Sequence, residues 1–386
     1  MIKVEGAWRD TPETQTVCSI LTKAGAQALF VGGCVRNALL GAPVNDVDIA
    51  TDALPERVMD LANAGGLKAL PTGIDHGTVT VVINGEAFEI TTFRRDIETD
   101  GRHAKVVFSK HVSDDAARRD FTMNALYARP DGTLIDPLGG LPDLRARRLR
   151  FIGSAADRIQ EDYLRSLRFF RFHAWYGDQS AGFDPEAIAA IASNLEGLEQ
   201  LSKERIGSEM LKLLSAPDPA PSVAGLRSTN VLAHILPGMD DRFLAPLVHI
   251  EILLGLAPDP IRRLCALGGE NLRDALRLSK ANTRKLDQLR DAVGGIQAPA
   301  ELGYRLGFET ALDVLALRGA MTGQPPLTGD TEAVETGSNK TFPVRAADLT
   351  PTYQGAELGK RLTRLEQDWI DSGFTLTKSE LLSRDG

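Results

Sequence analysis

Cysteine is scarce in this chain. Cys18, Cys34 and Cys265 form an odd, scattered set with no C-x-x-C pair, which argues against a disulfide framework or a zinc site and leaves three reduced thiols. No run of 18 or more apolar residues occurs, so no membrane-spanning helix is expected. The opening "MIKVEGAWRDTPETQ" lacks the basic start and apolar stretch of a signal peptide, and a cytoplasmic protein is expected. A Gly-Lys-Ser/Thr loop is missing, which excludes a P-loop NTPase. No His-Asp dipeptide occurs, which argues against an HD-type phosphohydrolase, and no repeat of 20–50 residues is present. Positive charge is also short overall, at a net −8. That balance ordinarily weighs against a nucleic-acid partner.

The charge is unevenly spread. Residues 91–171 hold 16 basic and 12 acidic residues, an excess of four positive charges that leaves the remainder at −12. A basic middle within an acidic protein can hold a nucleic acid locally, although arginine-rich helices also serve as plain solvated faces. With 43% hydrophobic and 25% charged residues over 386 positions, the chain has the composition of a globular protein of two or three domains. The first 150 or so residues read as α/β. "ALFVGG", "DVDIAT", "GTVTVVING" and "EAFEITTFRR" are strand-like, and the Asn-Gly within "VVINGEAFEI" suits a hairpin. From about Asp157 the pattern is helical throughout. "AADRIQEDYLRSLRFFRFHAWYG" keeps one helical period, and "SKERIGSEMLKLLS" opens on a Ser202 cap. Residues 321–349, polar and rich in Gly, Thr and Pro, are expected to form a long loop or hinge.

"FVGGCVRNALLGAPVNDVDIAT", residues 30–51, carries the chemistry. If Asp46 and Asp48 lie in one strand they share a face, while Val47 and Ile49 enter the core. Two adjacent carboxylates repel unless a cation lies between them, and a hard divalent ion such as magnesium with oxygen ligands fits. Gly32 and Gly33 allow close backbone approach and an anion-binding concavity, the helix beginning near Cys34 adds its positive end, and Arg36 can lie over a triphosphate. Singly, each element is an ordinary turn or loop. In this order, over so short a span, they describe a triphosphate and metal site.

This stretch resembles the signature of the class II tRNA nucleotidyltransferase and bacterial poly(A) polymerase family, within the DNA polymerase beta superfamily. The resemblance continues in order through "GIDHGTVTVV", "FEITTFRRD", "DGRHAKVVF", "RRDFTMNAL", "DPLGGLPDL", "RIQEDYLRSLRFFRF" and "LSKERIGSEMLKLL", covering roughly residues 28–215. Two positions depart from it. Asn37 stands where the family often has aspartate, and "GRHAKV" lacks the proline often found two residues after its arginine. The resemblance implies an α+β chain: a polymerase beta-like nucleotidyltransferase head with a mixed sheet over 1–152, a helical neck that recognises the base over 153–215, and an all-helical body and tail over 216–386 that bind tRNA. It implies two Mg2+ ions on Asp46 and Asp48. A third carboxylate is common in the superfamily, and Glu89 is placed to supply it or else to face solvent at a strand edge.

"EDYLR" bears on the substrate. Asp162 and Arg165, three apart, would share a helix face, where the carboxylate accepts from the amino group of cytosine or adenine while the guanidinium donates to the ring. Guanine and uracil present a carbonyl there and are rejected. The plain alternative for a D-x-x-R is a helical salt bridge. The family pattern further implies that Arg119, Asp120 and Asn124 contact ribose and phosphate, that Arg168 and Arg171 extend the arginine face, and that Arg205 braces the helix. Arg102, in the charged segment 96–107, is expected to reshape the pocket between C and A addition.

The expected activity is template-independent addition of C, C and A to the tRNA 3′ end from CTP and ATP, with release of pyrophosphate. Partial addition (CC only or A only) and poly(A) synthesis are the alternatives on the same scaffold, and a catalytically inactive RNA-binding relative is the alternative from another class. No protein partner is implied.

Overall fold

A computed structural model describes residues 2–100, 103–350 and 352–384. The chain divides into two compact units, Met1–Pro237 and Gly238–Gly386. No helix among the described residues is long and apolar enough to cross a membrane.

The first unit is built on a seven-stranded mixed sheet. Its strands are β1 (Leu29–Val31), β2 (Asp48–Thr51), β3 (Lys68–Gly73), β4 (Thr78–Ile83), β5 (Glu86–Thr92), β8 (Tyr127–Ala128) and β9 (Leu134–Ile135), in the order β3-β4-β5-β2-β1-β8-β9. Only β2 and β5 run parallel. Alternation in "TVTVVI" buries Val79 and Val81 while Thr78 and Thr80 are only partly covered, as a half-buried strand requires. Asn84 and Gly85 both take positive φ between Ile83 and its partner Glu86, the conformation the expected Asn-Gly hairpin turn demands. Strands β3, β8 and β9 were not legible in the sequence, being short or mixed in polarity.

The charged segment 96–107, whose glycine suggests a loop, is largely strand where it is described. Residues 96–100 and 103–107 belong to a separate antiparallel pair, β6 (Arg94–Asp100) with β7 (His103–Phe108), and Arg102 lies outside the described residues. The long helical pattern after Asp157 is also two helices rather than one, Ala155–Glu161 and Leu164–Tyr176, broken at Asp162 where φ is −156° and ψ is 104°. Phe121 and Phe151, paired by a β-bridge, pack against Phe169 and Phe172 of the second helix with centroids 5.0–6.2 Å apart, so apolar contact fixes helix to head. Lys203–Leu214 follows, capped by Ser202 as expected.

The second unit is helical throughout. Residues 328–338 of the expected hinge form a helix, Thr328–Ser338, because its small residues let it lie against Pro299–Leu306. A Cβ on Gly303 would meet the Val334 carbonyl at 2.1 Å and one on Gly337 the Ala300 carbonyl at 1.9 Å. Glycine serves close packing here, where the sequence suggested a turn.

Candidate active site

Strand register assembles the site. Phe30 faces Ile49 across β1 and β2, so the turn that leaves β1 through Gly32 lies beside Asp48 at the start of β2. Gly32 has φ 69° and ψ −116°, open to glycine alone, and it caps the helix Gly33–Leu39. Its own N–H donates to the Leu126 carbonyl at 3.3 Å, so that donor is already committed. A Cβ on Gly32 would lie 3.5 Å from Arg119 Nη1, which places the glycine turn against the arginine of "RRDFTMN".

Asp46 is in the loop that runs from Ala42 into β2, not in the strand, which begins at Asp48. Val47 is only half-buried and lines the carboxylate cavity, while Ile49 is in the core as expected. On the parallel neighbour, Glu89 pairs in register with Asp48. Asp46, Asp48 and Glu89 line one cavity of about 620 Å³ with Thr80 and Asn45. Burial pushes the Asp48 carboxyl up, Glu89 pushes it further, Arg119 opposes, and Asp46 adds to the rise. Repulsion among oxygen donors with too little compensating charge is what a hard cation relieves, so the donor set suits magnesium. Among the described residues no three His, Cys, Asp or Glu side chains converge into a ready-made ligand set. Magnesium rarely needs one, since it keeps water and substrate phosphates as ligands.

A second cavity, about 290 Å³, gathers Arg119, Asp120, Asn124, Asp162, Arg165, Arg168 and Arg205. Asp115, buried in the helix Val112–Ala117, holds Arg119 through Nη2 at 3.0 Å and Tyr127 through its hydroxyl at 2.7 Å. Asp120 accepts from Arg168 Nε at 2.9 Å and Asn124 Nδ2 at 3.1 Å; burial alone would raise its pKa, but Arg168 and these hydrogen bonds lower it to about 2. Asp162, freed from the helix, accepts the Leu164 N–H through Oδ1 and Arg205 Nη2 through Oδ2 at 2.6 Å. Arg165 donates to Glu161 at 2.5 Å and to the Arg118 carbonyl at 3.1 Å. Asp162 and Arg165 therefore share a cavity without forming the helical salt bridge and without sharing a helix face.

Two expected residues lie elsewhere. Arg36, only 6% exposed, donates to Asn124, to the Tyr176 hydroxyl at 2.9 Å and to Asn37, and stacks 3.9 Å from the Tyr176 centroid. The departure from the family at Asn37 thus keeps an acceptor for Arg36. Arg171 donates to Glu209 at 2.5 Å and lines a different cavity from Asp162. Sequence reasoning missed Asp115, Arg118, Tyr127 and Tyr176. Of these Asp115 was within reach, because "DDAARR" sets it three and four residues before Arg118 and Arg119. The three thiols are buried, and burial raises them to about 12 at Cys18 and about 11 at Cys34 and Cys265, which makes them inert at neutral pH.

Comparison with known proteins follows the same lines. Residues 28–150 match the family model described as "Poly A polymerase head domain", and residues 182–243 match "Probable RNA and SrmB- binding site of polymerase A". The mouse mitochondrial CCA tRNA nucleotidyltransferase 1 is 32% identical over 391 residues, covering 97% of this chain and 89% of that one. The CCA-adding enzyme of Geobacillus stearothermophilus is 38% identical over 318 residues, covering 79% and 77%. The crystal structure of the Bacillus stearothermophilus CCA-adding enzyme in complex with CTP superposes with a TM-score of 0.76 at 31% identity, over 97% of this chain and 98% of that one.

Proposed function

The chain belongs to the CCA-adding enzyme family, with a poly(A) polymerase head domain, and from that premise we propose that it adds C, C and A to the 3′ end of tRNA without a nucleic-acid template. The observation that carries the reading is the adjacency of two cavities, one walled by Asp46, Asp48 and Glu89, the other by Asp162, Arg165 and the arginines around Asp120. Arg119 joins them, since it acts on the Asp48 charge and lines the second cavity.

In each cycle the RNA 3′-oxygen bonds to the α-phosphorus of CTP or ATP, the bond from that phosphorus to the bridging oxygen breaks, and pyrophosphate leaves. Two magnesium ions, held by Asp46 and Asp48 with water and substrate phosphates and with the Glu89 carboxylate beside them, would supply Lewis acidity to the attacking hydroxyl and charge neutralisation to the leaving group. The Gly32–Gly33 turn gives the triphosphate close backbone approach. Arg36, buried against Asn37 and Tyr176 with its guanidinium close to Gly33, adds positive charge beside that turn. Asp120, held by Arg168, fixes Asn124 beside the ribose. Asp162, steadied by Arg205, accepts from the amino group of cytosine or adenine, and Arg165 donates to the ring. Guanine and uracil turn an acceptor toward Asp162 and are rejected.

The test uses magnesium and three tRNA transcripts, ending before CCA, after C and after CC, each given CTP, ATP or both, with products sized to the nucleotide. Completion of all three to CCA, followed by arrest, is the expected result. A single A on the CC-ending transcript alone, or a long tail from ATP, overturns the assignment of product while leaving the scaffold intact.

A further inference from the structure

A third cavity of about 530 Å³ adjoins the catalytic carboxylates and is used by nothing described above. Asn45 lines both it and the cavity of Asp46, Asp48 and Glu89, so the two share a wall. Arg147, Arg171 and Lys212 line it with no carboxylate, the opposite charge character to its neighbour. Trp175, in the last turn of the helix Leu164–Tyr176, also lines it and is 40% exposed. The ring is nevertheless pinned, because Nε1 donates to the Lys212 carbonyl at 2.8 Å. A fixed, exposed aromatic face among cations is the arrangement that binds single-stranded nucleic acid.

We propose that this cavity holds the unpaired nucleotide preceding the reacting 3′ end of the RNA, its base stacked on Trp175 and its phosphates drawn by Lys212, Arg147 and Arg171. The inference rests on the reading of the chain as a CCA-adding enzyme. During three additions the nucleotide next to the reacting end changes identity, so its subsite must tolerate different bases. Stacking does so, because every base has a π-face, whereas a hydrogen-bonding pocket such as that of Asp162 selects. Position argues for the strand over a free nucleotide: the wall at Asn45 sets the cavity beside the metal-binding carboxylates, on the Asn37 and Tyr176 side, apart from the Asp162 cavity.

The full chain, with Trp175→Ala and Trp175→Phe, is compared on the three transcripts for KM of tRNA, KM of CTP and ATP, and kcat. Trp175→Ala should raise the tRNA KM about tenfold on every transcript, with nucleotide KM little changed and Trp175→Phe recovering most of the loss. An unchanged tRNA KM overturns the inference, and so does a rise confined to the nucleotide KM, which would mark a free-nucleotide site. A binding arm separates this from failure of the wider reading. A single-stranded oligoribonucleotide ending in CC should quench indole fluorescence in the wild type and not in Trp175→Ala, whether or not the protein extends tRNA. Equal quenching in both sinks the proposal. Wild-type protein that is inactive on all transcripts but shows this difference would sink the functional reading alone.

Discussion

Both units of the chain bury arginine against carboxylate, and they do so to different ends. In Gly238–Gly386, Arg262 and Arg263 are 3% and 1% exposed, and their donors close on Glu251 at 2.8 and 2.7 Å and on Asp313 at 2.5 Å. Lys285 links the same Asp313 to Asp259. In Met1–Pro237, Arg119, Asp120 and Arg168 are paired as firmly, yet all three also line a cavity with Asp162 and Arg165. The first arrangement is self-contained and its desolvation cost is offset by its own members. The second has pairs that hold one another in place while presenting polar atoms to open space. A buried ion pair is thus no mark of function by itself; a cavity beside it is what separates a structural cluster from a binding one.

Removing charge from each place should therefore fail in opposite ways. Asp48→Ala should cut the rate of nucleotide addition by about 1,000-fold or more, the scale of losing metal-held transition-state charge, as followed by product sizing on the CC-ending transcript. Its melting temperature should hold or rise, because the Asp48 carboxyl is already destabilised by burial and by Glu89. A melting temperature that collapsed with activity would place Asp48 with the structural clusters and break the contrast. Glu251→Ala should do the reverse and lower stability by about 3–5 kcal/mol, since Arg262 and Arg263 would be left buried with a partner missing. Urea unfolding gives that number, and below the new midpoint the first unit should still bind CTP. A loss under about 1 kcal/mol would mean that water reaches the cluster, against the reading of it as closed.

Asp162 tests the cavity side more finely. Replacing it with alanine should lower kcat/KM for both CTP and ATP by about 100-fold or more and narrow the margin over UTP and GTP, as buried polar discrimination is lost. Arg205→Ala, which removes the 2.6 Å brace, should cost about tenfold in the same direction. Equal loss in both variants, with base selectivity intact, would show that the pair acts as a strut rather than a reader.

The degree to which the sequence disclosed all this followed the range of each interaction. The Gly32–Gly33 turn and the Asn84-Gly85 hairpin are local, and each was legible from a few residues, whereas Asp46 lies outside the strand it was expected to share with Asp48. The Asp48 and Glu89 register was not legible, because it depends on a parallel pairing across some forty residues of chain. The geometry at Asp162 differs from the expected one: the periodicity runs through it as one helix, whereas its carboxylate is free to reach Arg205 only because the backbone breaks there. Arg36 was read as facing ligand, and only the fold reveals Tyr176 and Asn124 around it. The helix Thr328–Ser338 was hidden for a related reason, since glycines that signal a loop locally are what let two helices meet backbone to backbone.

Asp120 is the carboxylate of the first unit most like those of the second, and acid should expose that likeness. Burial works against its charge, but Arg168 and the Asn124 and Arg168 hydrogen bonds win and bring its pKa to about 2, below the unfolded value near 3.9. A carboxyl depressed on folding contributes stability that is fully present above the unfolded pKa and is lost as pH falls through the folded one. The window therefore runs from about pH 4 down to about pH 2, and the contribution at neutral pH is about 2–3 kcal/mol. Other depressed carboxyls, Asp115 and Asp143 among them, titrate on the same side, so the wild-type curve alone cannot isolate it. The difference between wild type and Asp120→Asn can: in urea unfolding it should be constant from pH 5 to 7 and shrink steadily below pH 4. A gap that stayed constant to pH 2.5 would mean the Asp120 and Arg168 pair adds no charge-dependent stability. The hydrogen bonds to Asn124 would then hold that wall of the cavity by shape alone.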